Sequence, residues 1–370
     1  MHLKNLKLIQ FKNYRQEQLD FSPEMNCLFG VNGAGKTNLL DAIHYLCLTK
    51  SAFNTVDSQN ILHESDFFNI QGEFDLEGKP LQVTCIQQAG RKKQFEVNGK
   101  PYVRLSEHIG LLPLVLIAPD DTVIINGGSE ERRKFFDNIM CQSDKSYLEH
   151  LIRYQHYLKQ RNALLKNFSE GQRFDRLLLE PFDRQLIQLA KALYISRRTF
   201  IEKYLPILTE HYAAISGKRE HIHIEYQSDL SDDRFEQVFL RSLDKDLFLK
   251  RTGCGVHKDD YIFQLEKYPL KKFGSQGQKK SFLISLKLAQ FEVFKKLKGV
   301  KPILLLDDIF DKLDDFRISH LMEGVAKGEF GQLFITDARP ERSKEILREL
   351  PMNILCYTIF NGQIQSADLS

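Results

Sequence analysis

The chain has 370 residues, of which 42% are hydrophobic and 27% charged, values typical of a globular protein large enough for two lobes. Its formal net charge of +3 is too small to favour or exclude a nucleic-acid partner. No apolar run approaches the roughly 20 residues of a membrane span, the N-terminal residues lack a signal-peptide core, and none of the six cysteines forms a C-x-x-C pair, so we expect a reduced, cytoplasmic protein.

The first motif is a glycine-rich loop at residues 30–37. An apolar run at 3–11 predicts a strand, a second at 25–29 enters the loop, and a helical pattern at 38–46 leaves it. The loop matches G-x-x-x-x-G-K-[ST] in its strand–loop–helix context, which predicts nucleotide binding. The predicted nucleotide-binding residues of this motif are Gly30, Val31, Asn32, Gly33, Ala34, Gly35, Lys36, Thr37 and Asn38.

The chemistry of this loop predicts ATP and Mg²⁺ as cofactors. Its glycines let backbone N–H groups surround phosphate oxygens, and the helix N-terminus adds partial positive charge. Lys36 is expected to reach the β- and γ-phosphates as a catalytic residue, and Thr37 to ligate Mg²⁺.

An antiparallel block is predicted next. Strand-like runs occupy residues 67–74, 81–88 and 94–97, and Asn98-Gly99 is a strong hairpin signal. A buried strand at 114–117 is expected to close this block beside the nucleotide site.

A helical, highly charged stretch follows from about residue 129 to 212. Two series of residues at alternating spacings of three and four, separated by a break near 169–171, predict a helical hairpin with a coiled-coil-like seam. Each helix would be about 35–40 Å long. A projecting arm and an ordinary helical subdomain are both compatible with the pattern. The predicted seam residues are Leu148, Leu151, Gln155, Leu158, Asn162, Leu165, Phe182, Leu186, Leu189, Leu193, Ser196 and Phe200.

Strand-like character returns from about residue 253, with central strands expected at 303–306, 333–335 and 354–356. We therefore predict an α/β nucleotide domain assembled from both ends of the chain, with a helical lobe inserted. The predicted boundaries are 1–118 and 253–370 for the two parts of the nucleotide domain and 119–252 for the lobe.

The run at 303–306 ends in two acids, as a Walker B strand does. Ligands lie at the carboxyl ends of strands in open α/β sheets. Asp307 is expected to hold Mg²⁺ directly or through water, and Asp308 to orient or deprotonate the attacking water as a catalytic residue.

A polar turn precedes the predicted helix at 281–297. Ser275, Gly277 and Gln278 lie where a helix N-terminus could present a hydroxyl and N–H groups to an anion. In isolation this is only a loop. Its place about thirty residues before a Walker B strand makes it a candidate nucleotide-binding signature.

In this combination the chain resembles an ABC-type ATPase head, and residues 311–314 resemble the D-loop of that superfamily. More closely it is similar to the RecF family of bacterial recombination mediators, with Gln276 where transporters carry glycine. The segments that carry the similarity occur in family order and are 6–15, 35–43, 119–121, 128–137, 255–260, 275–278 and 305–308.

The resemblance implies a function in DNA repair and replication. In such a protein the signature of one subunit completes the ATP site of another, so ATP would join a homodimer that clamps gapped or single-stranded DNA. Hydrolysis through Asp308 would release it. RecR and RecO would be partners, and the outcome would be RecA loading and SOS induction.

Four positions depart from the family pattern. No water-positioning glutamine can be assigned in residues 118–121, Asn54 replaces an arginine, and Lys258 replaces another. Thr336 and Asp337 occupy the place where transporters carry a switch histidine. These departures predict slow ATP hydrolysis.

Basic clusters are the candidate DNA contacts. Together they could line one surface of a dimer and give affinity that depends on salt but not on base sequence. Arg132 and Arg133 could instead brace the lobe. The clusters are Arg91-Lys92-Lys93, Arg132-Arg133-Lys134, Arg197-Arg198, Lys271-Lys272 and Lys295-Lys296 with Lys298.

Three other functions are compatible with parts of the pattern. An ATPase of the same head type could serve a defence or toxin system. A transport ATPase subunit is opposed by the helical insertion, the Ser275–Gln278 signature and the absence of a switch histidine. A small-molecule kinase is opposed by the lack of a recognisable acceptor pocket.

Overall fold

The computed structural model describes residues 1–171, 173–217, 220–232, 234–309, 315–348 and 350–367. The chain forms two compact units, one of Met1–Asp121 with Leu286–Ser370 and one of Thr122–Ser285. Among the described residues, no helix is both long and apolar enough to cross a membrane.

The secondary structure alternates between sheet-rich ends and a helical middle. The strands are β1 His2–Phe11, β2 Tyr14–Asp20, β3 Met25–Phe29, β4 Phe67–Leu76, β5 Lys79–Gln88, β6 Gln94–Val97, β7 Lys100–Pro101, β8 Leu114–Ile117, β9 Ile222–Gln227, β10 Asp260–Leu265, β11 Tyr268–Pro269, β12 Ile303–Leu306, β13 Leu333–Asp337, β14 Ile354–Phe360 and β15 Gln363–Ala367. The helices are α1 Lys36–Leu48, α2 Val123–Asn126, α3 Ser129–Ser143, α4 Lys145–Ser169, α5 Glu180–Ser216, α6 Phe235–Arg241, α7 Leu243–Leu249, α8 Leu270–Phe273, α9 Gln276–Lys298, α10 Asp315–Ala326 and α11 Pro340–Arg348.

The first unit contains the predicted antiparallel sheet, with strand order β2-β1-β4-β5-β6-β7. The strands expected near residues 3–11, 67–74, 81–88 and 94–97 are confirmed. Asn98 and Gly99 have φ angles of 51° and 72° and form the turn between β6 and β7. Left-handed conformations at two successive positions are what a type I′ hairpin turn requires.

A second sheet of the first unit carries the nucleotide motifs, in the order β15-β14-β3-β13-β12-β8. Strands β14, β3, β13, β12 and β8 pair in parallel, and β15 is antiparallel to β14. The expectation that residues 114–117 close the antiparallel block is wrong, because β8 pairs with the Walker B strand β12. A short, continuously apolar run is typical of a parallel strand that is covered on both faces.

Helix α1 lies in the core of the first unit and contacts strands of both sheets, including β4 and β13. Nearly every residue of α1 after Asn38 is buried, which explains why its sequence lacks a polar face. The phosphate loop therefore leads into a helix that is fixed on several sides.

The second unit contains the predicted hairpin, formed by α4 and α5. Helix α4 ends at Ser169 and α5 begins at Glu180, so the predicted break is confirmed. At about 1.5 Å per residue, their 25 and 37 residues give lengths of about 37 and 55 Å. The hairpin contacts α3, α6, α7 and β9, which is the arrangement of a helical subdomain.

The seam of the hairpin differs in part from the prediction. Gln155 is exposed, whereas Tyr147, Tyr154 and Arg161 are buried at seven-residue intervals. Amphipathic side chains of this kind pack their apolar parts in the seam while their polar ends form hydrogen bonds. The predicted seam of α4, which is anchored on its leucines, misses this face.

The boundary expected at residue 253 also differs from the observed division. Residues 253–285 belong to the second unit, since β10 pairs with β9 and β11 in a three-stranded sheet. The sequence analysis predicted no strand at β9. Because β9 pairs with β10, it places β10 in this unit.

Candidate nucleotide site

The phosphate loop connects β3 to α1 and requires glycine at two positions in particular. A Cβ atom at Gly30 would lie 2.4 Å from the carbonyl oxygen of Ile359, closer than real contacts allow. Gly35 has a φ angle of 120°, and a Cβ atom there would lie 2.4 Å from Asn13 Nδ2. At these two positions the loop passes too close to its neighbours for a side chain. The Gly30 N–H donates to the Asp337 carbonyl oxygen and the Ala34 N–H to the Val31 carbonyl oxygen, so the remaining N–H groups of the loop are the candidate donors to an anion.

Lys36 begins α1 and is 4% exposed. Its Nζ donates hydrogen bonds to the carbonyl oxygens of Gly30, at 2.8 Å, and Val31, at 3.3 Å. These contacts hold the ammonium group across the mouth of the loop. A positive charge in this place suits the oxygens of a polyphosphate.

Thr37 and Asp307 meet although they come from opposite ends of the chain. Thr37 Oγ1 lies 3.0 Å from both carboxylate oxygens of Asp307. Thr336 Oγ1 donates to Asp307 Oδ1 at 2.8 Å and accepts a hydrogen bond from the Asp308 N–H at 2.9 Å. The parallel pairing of β12 with β13 places these groups at one edge of the sheet.

Asp307 is buried, at 5% exposed, whereas Asp308 is half-buried. Burial raises the pKa of its carboxyl group, and hydrogen bonds from Thr336 and Thr37 counteract that rise. A threonine hydroxyl beside a carboxylate is an all-oxygen donor set of the kind that Mg²⁺ prefers. The residues present therefore fit a magnesium ion.

Asp308 follows β12 in a left-handed conformation, with a φ angle of 45°. Aspartate tolerates this region better than most residues do. The backbone turns sharply at this position, so successive acids do not simply alternate across the sheet. Asp308 is half-buried, next to the Asp307–Thr336 pair.

The N-terminal strands brace the phosphate loop, a role that the sequence alone did not indicate. Asn13 Nδ2 donates to the Ala34 carbonyl oxygen at 3.0 Å, and Asn13 Oδ1 accepts from Asn38 Nδ2 at 2.8 Å. The buried Tyr14 hydroxyl donates to the Gly35 carbonyl oxygen at 2.9 Å. Sequence comparison identified the segment that contains Asn13 and Tyr14 only as a family marker.

The segment where a water-positioning glutamine was sought has a different role. Asp121 accepts hydrogen bonds from the Ala118 N–H and from Lys287 Nζ, each at 2.7 Å. Lys287 also donates to the Leu116 carbonyl oxygen at 2.8 Å. Asp121 thus ties the end of β8 to α9.

The signature belongs to the second unit and forms a capping box at the start of α9. The Ser275 N–H donates to Gln278 Oε1 at 2.7 Å, and the Gln278 N–H donates to Ser275 Oγ at 3.2 Å. Gln278 Nε2 also donates to Glu220 Oε1 at 2.5 Å. Ser275 is exposed and Gly277 half-buried. The predicted D-loop, residues 311–314, lies outside the described residues.

Three of the candidate DNA-contact arginines, Arg132, Arg133 and Arg197, are engaged within the second unit, which corrects the expectation for Arg197. Arg132 forms a bidentate pair with Asp260, with distances of 2.7 and 2.9 Å. Arg197 is 2% exposed and pairs with Asp137 and Asp259 at 2.9 and 2.8 Å. The segments 128–137 and 255–260 therefore form one buried ionic network. Arg132 braces this unit, which is one of the two roles that its sequence position allowed.

The fold and the site together define the class of protein. The family model for the RecF/RecN/SMC N terminal domain matches residues 2–353. A solved Smc head domain from Pyrococcus furiosus is 17% identical, with a TM-score of 0.56, and covers 100% of this chain and 96% of its own. The chain thus has the fold of an ABC-type ATPase head with an inserted helical unit.

Relatives at higher identity give the particular family. A DNA replication and repair protein RecF from Flavobacterium johnsoniae is 45% identical over 98% of this chain and 100% of its own length. A solved structure of the recombination mediator protein RecF with ATP, of the RecFOR pathway, is 27% identical, with a TM-score of 0.89, over 99% of this chain and 98% of its own. This chain belongs to the RecF family of DNA replication and repair proteins.

Proposed function

We propose that the protein binds ATP with Mg²⁺ and, in that state, forms a homodimer that clamps gapped or single-stranded DNA during recombinational repair. The observation that carries the proposal is the contact of Thr37 Oγ1 with both carboxylate oxygens of Asp307 at 3.0 Å. It joins a phosphate-loop hydroxyl to a Walker B acid, as a magnesium-dependent nucleotide site requires.

The residues of the first unit have distinct roles in this proposal. The loop from Gly30 to Gly35 holds the phosphates through its N–H groups, and Lys36 reaches the terminal phosphates. Thr37 and Asp307 hold the magnesium ion, which neutralises phosphate charge when bound. Asp308 orients the water for a slow hydrolysis that ends the clamped state. The ATP-bound RecF structure, which covers 99% of this chain, supports nucleotide binding here.

Dimerisation rests on the signature. Ser275 and Gly277 lie at the start of α9, where the capping box fixes the serine and the helix N-terminus offers partial positive charge. In the proposal these groups complete the ATP site of a second copy. The RecFOR pathway named for the ATP-bound relative supports RecR and RecO as partners. In the proposal, the outcome of this assembly is RecA loading.

Sedimentation with and without ATP and Mg²⁺ tests the clamp. The unaltered chain is expected to shift from monomer to dimer on adding ATP, and Lys36→Ala to remain monomeric under both conditions. Lys50→Ala is a matched control, because Lys50 is an exposed lysine two residues beyond the end of α1. Dimers that persist unchanged in Lys36→Ala contradict the proposal.

DNA binding is tested in the same conditions with gapped, single-stranded and duplex substrates of equal length across a salt series. We expect ATP to increase affinity for gapped and single-stranded DNA, with a salt dependence that reflects phosphate contacts. Equal DNA affinity with and without ATP would show that DNA binding does not depend on the nucleotide, which contradicts the clamp proposal. Turnover of many ATP molecules per second without a partner would contradict slow hydrolysis.

A further inference from the structure

Two large aromatic side chains lie on the surface of the second unit. Tyr268 is 61% exposed and Phe273 is 67% exposed. Their ring centroids are 5.5 Å apart, and the ring planes are inclined by 60°. The two rings contact each other on the surface, so each leaves much of its area open to a ligand.

The backbone that carries these rings is held firmly. Tyr268 lies on β11, which pairs with β10, and Phe273 ends the helix α8 that follows. Leu270, between them, is fully buried. A Cβ atom at Gly274 would lie 2.6 Å from Leu270 Cδ1, so the chain is closely packed where it leaves α8. The rings are therefore presented by a short segment with little freedom, which lowers the entropic cost of binding.

Lysines flank the two rings in the sequence. Lys267, Lys271 and Lys272 are all exposed. Lys271 Nζ donates to the Gly127 carbonyl oxygen at 2.9 Å, and in the described part of the chain neither Lys267 nor Lys272 forms an ion pair. The neighbouring Glu266 carboxylate accepts a hydrogen bond from the His221 N–H at 2.9 Å. The segment 267–273 thus combines two exposed rings with three cations and no acid.

This combination favours one kind of ligand. An apolar protein surface would leave the lysines without a partner, and a DNA duplex would reach the lysines but not the rings, because its bases are already stacked. Single-stranded DNA offers phosphates to the ammonium groups and unpaired bases to the ring faces, as in other single-strand sites.

We propose that Tyr268 and Phe273, with Lys267 and Lys272, form a stacking platform for unpaired bases of single-stranded DNA. The platform rests on the proposed function, since it presumes that the protein binds DNA. It adds a physical means of distinguishing a single strand from a duplex. Stacking is tolerant of sequence, so the platform carries no base preference beyond stacking strength.

The test uses the full chain with ATP and Mg²⁺ and two fluorescent probes, a 20-nucleotide deoxyadenylate strand and a 20-base-pair duplex, in a salt series. Tyr268→Ala with Phe273→Ala is expected to weaken single-strand binding about ten- to a hundredfold, with the salt slope and duplex binding unchanged. The conservative pair Tyr268→Phe with Phe273→Tyr should retain wild-type affinity. Phe248→Ala, at a phenylalanine that is 84% exposed, is the control for removal of a surface ring.

The lysines give an independent readout. Lys267→Gln with Lys272→Gln should reduce the slope of log affinity against log salt by about 1.4 on the single strand, because each phosphate that a lysine no longer neutralises lowers the slope by about 0.7. An unchanged slope removes these lysines from the platform and overturns it.

The remaining outcomes separate the platform from the clamp. If the unaltered chain binds neither probe, the proposed function fails and the platform with it. If the unaltered chain binds DNA and the alanine pair binds each probe as tightly as the unaltered chain does, the platform alone is overturned. If the alanine pair loses ATP-dependent dimers in sedimentation as well as all DNA binding, the rings belong to an interface between copies, which also overturns the platform.

Discussion

Thr37 Oγ1 lies 3.0 Å from each carboxylate oxygen of Asp307, although 270 residues separate the two in the chain. The contact exists because β3 and β12 flank β13 in one parallel sheet, which brings the carboxyl ends of both strands to the same edge. A hydroxyl and a carboxylate in contact can hold one metal ion between them.

Asp307→Asn should therefore remove the effect of Mg²⁺ on nucleotide affinity. The amide keeps the size of the side chain and removes its charge, so we expect ATP binding in EDTA to be retained. The gain on adding Mg²⁺ should fall by at least the roughly 10- to 100-fold that changes near metal ligands cost. Titration of a fluorescent ATP analogue with and without Mg²⁺ measures this.

Asp66→Asn is the control for that experiment, since Asp66 is exposed in the first unit. It should leave both titrations unchanged. A full Mg²⁺ effect in Asp307→Asn would show that other groups hold the ion.

A second prediction concerns the brace of the phosphate loop. Asn13→Ala removes hydrogen bonds to the Ala34 carbonyl oxygen and to Asn38 Nδ2. Removing two bonds in a partly buried place costs about 1–2 kcal/mol, so we expect ATP affinity to fall roughly 5- to 30-fold. Calorimetric titration of ATP measures the decrease. Gln16→Ala, at an exposed position of the next strand, should bind ATP normally.

The motif residues show how much could be predicted from the sequence. Gly30 to Thr37 and Asp307 could be predicted as a nucleotide site because phosphate chemistry restricts which residues are possible at fixed spacing, and the structure brings Thr37 and Asp307 into contact. Asn13 and Tyr14 could not be assigned to the site, because asparagine and tyrosine in a β-rich segment have many other roles. Only the packing of β1 and β2 against the rest of the first unit brings them to the loop carbonyls.

The wrong predictions for strand β8 and for Arg197 have a common cause, which is that tertiary packing leaves no local signal in the sequence. An apolar run such as Leu114–Ile117 is compatible with any buried strand, and its sheet is set by a partner almost 190 residues away. A basic pair such as Arg197-Arg198 gives no sign that one member is buried. In the structure Arg197 is 2% exposed and Arg198 is exposed, because helical periodicity turns successive residues to different faces.

This contrast gives a third prediction, with its control one residue away. Arg197→Leu leaves the buried Asp259 and the half-buried Asp137 without their cation, and breaking a buried pair costs about 3–5 kcal/mol. Arg198→Leu removes an exposed ion pair with Glu202 and a hydrogen bond with Tyr194, both screened by solvent, so it should change stability far less. Urea unfolding followed by circular dichroism compares the two. Equal decreases in the two variants would show that the buried ionic network around Arg197 does not stabilise this unit.

A fourth prediction concerns acid stability. Burial lowers the pKa of His108 to about 4, and its Nε2 lies 2.7 Å from the Leu46 carbonyl oxygen. In the unfolded chain the pKa returns to about 6.5. The unfolded state therefore binds more protons between these values, and stability falls as the pH decreases from about 6.5 to 4. The decrease for this one group is on the order of 2 kcal/mol.

His108→Gln should reduce that decrease, because glutamine can donate to the same carbonyl without titrating. Its stability should depend less on pH between 4 and 6.5, as measured by urea unfolding at intervals across the range. His44 and His257, whose pKa values burial also lowers to about 4, remain in the variant, so part of the dependence persists. His63→Gln is the control, since the His63 side chain is 93% exposed. An unchanged pH dependence in His108→Gln would show that His108 does not contribute to the loss of stability in acid.

The last prediction separates ATP hydrolysis from ATP binding. Asp308 has a φ angle of 45°, which asparagine also adopts readily, and its N–H donates to Thr336 Oγ1. Asp308→Asn should therefore keep the backbone turn and nucleotide affinity while losing the carboxylate that is proposed to orient the attacking water. We expect hydrolysis to fall roughly 100-fold or more, and ATP-dependent dimers to persist longer than in the unaltered chain. Phosphate release and sedimentation after ATP dilution measure the two effects.

Asp308→Ala adds backbone strain at this φ angle, so a loss of ATP binding in the alanine variant alone would reflect the turn rather than the chemistry. Hydrolysis at the normal rate in Asp308→Asn would assign the catalytic base to another residue.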